Sequence, residues 1–148
     1  MKNQLNIALA GATGYLGTYI AKELIATEMN PKLIVRNPDK IQLNGGSQNG
    51  GFQNNGFQLA KAAVTKKEDL KGIFNGIDVV ISAVGITRQK DGLTYMDVDY
   101  QANKNLLDEA KKAGVQKFIY VSAINGDHFR NLKIFEAKEK FVDALIAS

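Results

Sequence analysis

The sequence predicts a single α/β domain, a doubly wound parallel sheet with helices on both faces. Three observations carry that expectation. Short apolar runs alternate with amphipathic segments of helical period along most of the chain. A glycine-spaced turn, Gly11 to Gly17, joins the first apolar run to the first helical segment. The 148 residues suffice for one domain with a real core and are too few for two ordinary ones. Right-handed crossovers then give the strand order 3-2-1-4-5.

The first strand is Leu5 to Ala10, ended by Gly11. From Tyr15 to about Met29, Leu16, Ile20, Leu24 and Ile25 share a helical face, with Lys22 and Glu23 opposite. Asn30-Pro31 stops that helix. Lys32 to Arg36 is the second strand, and Asn37-Pro38 opens a short helical turn. Leu59 to Val64 makes a weak third strand. Lys67 to Phe74 follows as a short helix, capped near Gly76. Ile77 to Val84, with Val79-Val80-Ile81 inside it, is a strongly apolar fourth strand. Thr94 to Ala113 is a long helix with Val98, Ala102, Leu106 and Ala110 at four-residue spacing, ended by Gly114. Val115 to Val121 is the fifth strand. Lys133 to Ala147 is a last amphipathic helix with Ile134, Phe141 and Leu145 on its apolar side.

Residues 44–58 differ in kind. They hold five of the 14 glycines, no charge, and an imperfect repeat ending in Phe52-Gln53 and Phe57-Gln58. Such a stretch buries too little apolar surface to offset its ordering entropy. It reads as a flexible surface loop; the functional alternative is a lid anchored by Phe52 and Phe57.

Composition narrows the function. The absence of cysteine excludes disulfides, thiolate catalysis and Cys-ligated metal sites. With one histidine, His128, and no clustered carboxylates, no metal site is expected. The net charge of +4 comes from lysines scattered through helical segments, not from one basic block, so nucleic acid is not an expected partner. No apolar run approaches the roughly 18 residues a bilayer span requires. The amino terminus lacks a signal-peptide layout, and the expected location is cytoplasmic, without membrane attachment.

The sharpest motif is Gly11-Ala12-Thr13-Gly14-Tyr15-Leu16-Gly17, between a strand and a helix. Three glycines in seven residues are weak by themselves; their position makes them specific. Gly11 can take the positive φ of a tight turn. Gly14 lets backbone approach a pyrophosphate, and Gly17 lets the helix lie close on the strand. Free N–H groups at the helix start, with the helix dipole, then face the phosphates. Gly11, Thr13, Gly14, Tyr15, Leu16 and Gly17 are thus the expected cofactor-binding loop. No Gly-Lys-Ser/Thr follows, which excludes a Walker-type loop. An NAD site usually carries an acid at the end of the second strand. Here that strand ends Val35-Arg36-Asn37. Arg36 offers a planar donor fork for a 2′-phosphate, Lys40 a second charge one turn on, and Asp39 comes late for the NAD role. NADP is therefore the expected cofactor and NAD the lesser alternative; Arg36 as a plain strand-end cation remains the structural reading.

Four segments carry a family resemblance: the glycine loop; Val35-Arg36-Asn37-Pro38-Asp39-Lys40; Gly76-Ile77-Asp78-Val79-Val80-Ile81-Ser82-Ala83-Val84-Gly85; and Gly114-Val115-Gln116-Lys117-Phe118-Ile119-Tyr120-Val121-Ser122. In this order and spacing the chain resembles the atypical short-chain dehydrogenase/reductases, particularly the NmrA-like NAD(P)-binding Rossmann proteins. The resemblance covers nearly everything except residues 44–58. It implies that Ala83, Val84 and Gly85 border the adenosine ribose and pyrophosphate. It also implies that Ser122 sits near the nicotinamide ribose and that Lys138 hydrogen-bonds that ribose. The plain readings are a strand-end hydroxyl for Ser122 and a solvated helix charge for Lys138.

Two departures from the family pattern stand out. Its Tyr-x-x-x-Lys has Ile134 in place of the tyrosine four residues before Lys138; Tyr100 and Lys104 have the spacing but lie before the fifth strand. The family's aspartate near the end of strand three is missing from Lys61-Ala62-Ala63-Val64. Family members also continue into a substrate region, so residues 1–148 are expected to be the dinucleotide-binding part of a longer protein. The implied function is an NADP(H)-binding relative of short-chain reductases and epimerases that transfers hydride in full-length form. A non-catalytic NAD(P)H-binding redox sensor or assembly factor is the alternative, with a small-molecule substrate or none.

Overall fold

The computed structural model describes residues 4–41, 43 and 56–148. Five four-residue strands form where the apolar runs predict them: β1 (Ile7–Ala10), β2 (Lys32–Val35), β3 (Gln58–Lys61), β4 (Val79–Ser82) and β5 (Lys117–Tyr120). All pair in parallel, in the expected order β3-β2-β1-β4-β5. Among the described residues, three α-helices connect and flank them: α1 (Tyr15–Ala26), α2 (Asn103–Lys112) and α3 (Lys133–Ile146).

The register sorts side chains to two faces. Leu9 lies opposite Leu33 and Ile81, and with Val35, Ala12 and Ala21 it forms the core under α1. The alternate residues Ala8, Ala10, Ile34 and Val80 face the larger core, with Leu70, Phe74, Val98 and Leu106. On that side Phe141 of α3 packs against Phe118 and Tyr120 of β5, with ring centroids 5.9 and 4.7 Å apart. Helices on both faces follow, as a parallel sheet requires. No helix among the described residues is long and apolar enough to cross a membrane.

Several elements depart from the sequence expectation. β3 starts and stops earlier than Leu59 to Val64, because the Ala63 N–H turns to Asp69 Oδ2 at 2.9 Å and leaves the ladder. Gln58, the last residue of the expected loop, therefore opens the strand, and Phe57 packs against the core under α1. Residues 44–55, with Phe52, lie outside the described residues. Lys67 to Phe74 is helical only over Lys67–Leu70, as a 3-10 turn; Gly72 then takes φ +72° and donates its N–H to Glu109 Oε1 at 2.8 Å. The long helix expected from Thr94 begins instead with a π-helical stretch, Met96–Ala102, before α2. That stretch turns Asp99 and Asn103, as well as Val98 and Ala102, into the interior.

Candidate functional site

The glycine loop leaves β1 and enters α1 through three different constraints. Gly11 has φ +87°, and a Cβ there would stand 2.8 Å from the backbone of Ala83. Both its conformation and its packing thus require glycine. Gly17 was expected to face β1. The structure corrects this: a Cβ on Gly17 would meet the Gly11 carbonyl carbon at 2.7 Å and Ala12 Cα at 3.1 Å, so the helix closes on its own loop. Gly14 is the N-cap of α1, with φ −77° and ψ 170°, and a Cβ there would meet only the Gly11 carbonyl oxygen, at 3.4 Å. The fold itself makes no demand for glycine at 14. The first helical bond runs from Thr18 N–H to the Gly14 carbonyl at 3.0 Å, and no side chain caps the helix start. The N–H groups of Tyr15, Leu16 and Gly17 precede that bond, the arrangement that receives anions. Thr13, Tyr15 and Leu16 are exposed.

A cleft of about 290 Å³ opens beside this loop, at the carboxyl ends of the strands. Gly11, Thr13 and Gly14 line it from one side, and Arg36, just past β2, from another. Ala63, Val64 and Thr65 follow β3, and Ala83, Val84 and Gly85 follow β4. Of the expected cofactor-binding residues, Gly11, Thr13, Gly14, Arg36, Ala83, Val84 and Gly85 line the cleft, whereas Tyr15, Leu16 and Gly17 do not, nor does Lys40, which sits exposed at the end of the 3-10 turn Pro38–Lys40. Asn37 caps that turn by accepting the Asp39 N–H at 3.0 Å.

Buried polar side chains hold the cleft walls. Asn103 accepts from Ser82 Oγ at 2.5 Å and donates to the carbonyls of Val84 at 3.2 Å and Asp99 at 2.9 Å. Asn105 donates to the Val64 carbonyl at 3.1 Å, fixing the exit from β3. Asp99 accepts the Ile86 N–H at 3.3 Å. Four of the buried polar residues, Ser82, Asp99, Asn103 and Asn105, thus hold the segments leaving β3 and β4. Satisfied in this way, they stiffen the loops they grip.

Neither of the two expected catalytic residues is part of this lining, although Lys138 Nζ lies directly behind Gly85. Lys138 of α3 is largely buried and places Nζ 2.6 Å from Asp99 Oδ1, so it is an interior ion pair and not a solvated helix charge. Ser122 lies just beyond β5, whose ladder ends with Val121 N–H donating to the Ser82 carbonyl at 3.1 Å. It is exposed, and among the described residues no hydrogen bond joins it to Lys138. Ile134 stands where a short-chain dehydrogenase has its tyrosine. Tyr100 and Lys104 form no pair: the Tyr100 ring lies 4.5 Å from Lys140 Nζ, and Lys104 bonds Asp108. Tyr120 has a buried hydroxyl without a hydrogen-bond partner. Burial first, then the charges of Asp99 and Glu139, push its pKa far above the ordinary phenol value, which keeps the phenol protonated.

Residues 11–148 match the protein family described as NAD(P)H-binding. The chain belongs to that family. Among curated relatives, the NAD(P)H-binding chain is 32% identical over 124 residues to the chloroplastic divinyl chlorophyllide a 8-vinyl-reductase of Arabidopsis thaliana, covering 81% of this chain and 30% of the reductase. It is 26% identical over 141 residues to a photosystem II assembly factor of Synechocystis, covering 93% of this chain and 40% of that factor. Among solved structures it resembles a nucleoside-diphosphate-sugar epimerase of Staphylococcus aureus, with TM-score 0.74 and 22% identity over 97% of this chain and 47% of the epimerase. It also resembles an NADPH-dependent quinone oxidoreductase of Escherichia coli solved with NADPH, with TM-score 0.71 and 24% identity, covering 95% of this chain and 44% of that one. These structural likenesses establish the fold. The chain spans less than half the length of each of these relatives.

Sequence reasoning on the NAD(P)H-binding chain missed Asp99, Asn103 and Asn105. Asp99 and Asn103 each follow an apolar residue of the four-residue series, Val98 and Ala102. A polar residue repeated at that offset widens the buried stripe, and that was the available signal.

Proposed function

We propose that this chain holds NADP(H) across the carboxyl ends of β1, β2, β3 and β4, as the nucleotide-binding part of a hydride-transferring oxidoreductase. One observation carries the reading: a single cleft joins the Gly11–Gly14 loop to Arg36. Gly14 receives the pyrophosphate over a helix start with free N–H groups. Arg36 presents its guanidinium to the 2′-phosphate, a contact an ammonium would make less directionally. Ala83, Val84 and Gly85, pinned from behind by Asn103 and Asp99, wall the site. Lys138 and Ser122 stand toward the nicotinamide ribose. The bound dinucleotide supplies the hydride, and the protein supplies position. A relative that is a vinyl reductase and a structural neighbour solved with NADPH support the reading.

A second reading, binding without turnover, is favoured by Ile134 in the place of the tyrosine and by a relative named as an assembly factor. Calorimetric titration with NADPH tests the site. Gly14→Asp sets a carboxylate against the pyrophosphate, so it should abolish binding while the fold persists; unchanged affinity would refute the site. NADPH oxidation with a panel of small ketones separates turnover from binding alone.

A further inference from the structure

Asp99 is wholly buried, and its role reaches beyond the loop it holds. Oδ2 accepts the Ile86 N–H, while Oδ1 lies 2.6 Å from Lys138 Nζ. Gly85, on the cleft wall, is pressed onto both partners: a Cβ there would stand 2.7 Å from Asp99 Oδ1 and 3.0 Å from Lys138 Nζ. The ion pair therefore backs directly onto the lining of the cleft. A buried ion pair is a poor source of stability, because desolvating two charges offsets their attraction. Its position suits it to a different task. An ammonium has three N–H donors in flexible array, and a fixed carboxylate bound to one of them sets where the other two point. On the proposed reading, a dinucleotide with its 2′-phosphate at Arg36 and its pyrophosphate at Gly14 would continue along the wall at Gly85, behind which Lys138 Nζ lies.

We propose that Asp99 is a positioning residue, whose carboxylate aims the Lys138 ammonium at the hydroxyls of the cofactor's nicotinamide ribose. The proposal rests on the cofactor reading given above. It assigns to the π-helical stretch the task of bringing a carboxylate under the cleft wall, a use to which such stretches are often put.

The test compares two ligands on the whole chain by calorimetry: NADPH, and 2′,5′-ADP, which has the adenosine half without the nicotinamide ribose. Asp99→Asn, nearly isosteric, should weaken NADPH roughly tenfold, the size of one hydrogen bond to a charged group, and leave 2′,5′-ADP unchanged. Lys138→Met should show the same selective loss, and the double variant should be no weaker than Lys138→Met alone. Equal loss on both ligands would overturn the proposal, since Asp99 would then merely hold the loop at Gly85 and Ile86. Additive losses, or none, would overturn it as well. Should Asp99→Asn fail to fold, Asp99→Glu moves the charge by one methylene; unchanged NADPH affinity in that variant would refute the aiming role. If the unmodified chain binds 2′,5′-ADP and NADPH equally, the cofactor site stands and the Lys138 contact falls. If it binds neither, the cofactor reading itself falls, and this assignment with it.

Discussion

Gly17 in α1 lies against the Gly11 carbonyl so closely that a Cβ on it would stand 2.7 Å from the carbonyl carbon, whereas a Cβ on Gly14 would meet only the Gly11 oxygen, at 3.4 Å. Two glycines three residues apart thus answer to different demands. Gly17→Ala should destabilise the chain by about 1–3 kcal/mol, the usual cost of overpacking against backbone. Gly14→Ala should leave the melting temperature nearly unchanged and still weaken NADPH. Thermal melts with parallel titrations check both, and equal melting losses in the two variants would contradict the distinction.

On the proposed reading, Arg36 is the residue that separates the two cofactors. A contact there with a 2′-phosphate would be charge-assisted and partly exposed, so Arg36→Ala should cost NADPH about tenfold in affinity and leave NADH untouched. Added salt should erode the preference in the unmodified chain. Lys40→Ala should have a smaller effect, because Lys40 is absent from the cleft lining. Equal losses of both cofactors in Arg36→Ala would mean that the arginine stacks on adenine and does not read the phosphate.

Tyr120 carries a buried hydroxyl with no partner, so Tyr120→Phe removes an unsatisfied group and keeps the ring packing on Phe141. The variant should be as stable as the unmodified chain or more so, by up to about 1 kcal/mol. The folded phenol titrates far above its ordinary value of 10.0. Once unfolded it ionises near that ordinary value, so stability should fall as pH rises past about 10. Denaturant melts at alkaline pH should show a shallower decline in Tyr120→Phe than in the unmodified chain.

Arg130 donates to Asp143 from both terminal nitrogens of its guanidinium, at 2.8 and 3.0 Å, tying the loop after β5 to α3. The hydrogen bonds from Arg130 hold the Asp143 carboxyl below its ordinary value of 3.8. A depressed carboxylate contributes stability above its unfolded value and loses it as pH falls through the folded one. The bridge should therefore be intact at neutral pH and open only in strong acid. In a carboxyl-carbon NMR titration, Arg130→Gln should return Asp143 toward 3.8, and an unmoved midpoint would disprove the coupling.

The strand order was legible because parallel buried strands carry unbroken apolar runs, and Val79-Val80-Ile81 is hard to mistake for anything else. The glycine loop was legible for a similar reason: only a strand-to-helix turn requires those spacings. The reason for Gly17 was not, since the close approach runs to the loop carbonyl and depends on the path of α1. The 3-10 turn at Lys67–Leu70 was read as longer because Ile73 and Phe74 are apolar, while Gly72 at φ +72° breaks the helix before them. Asp99 escaped notice because an aspartate on a helix is ordinarily solvated. Its burial depends on Lys138, 39 residues away in sequence.

The π-helical stretch Met96–Ala102 makes the interior tolerant of a missing residue where it is not tolerant of a changed one. An i→i+5 turn accommodates one residue more than the α-helix would. Deleting Gln101, an exposed residue between Asp99 and Asn103, would let the segment rewind as a regular α-helix. Because the π turn already absorbs that residue, the shortened α-helix would keep the faces on either side of it nearly in phase. Asn103 would keep its grip on Ser82 and Val84 from α2, and Asp99 and Val98 would still face inward. A length change at this solvent-facing position would thus be borne more easily than the loss of either buried polar side chain.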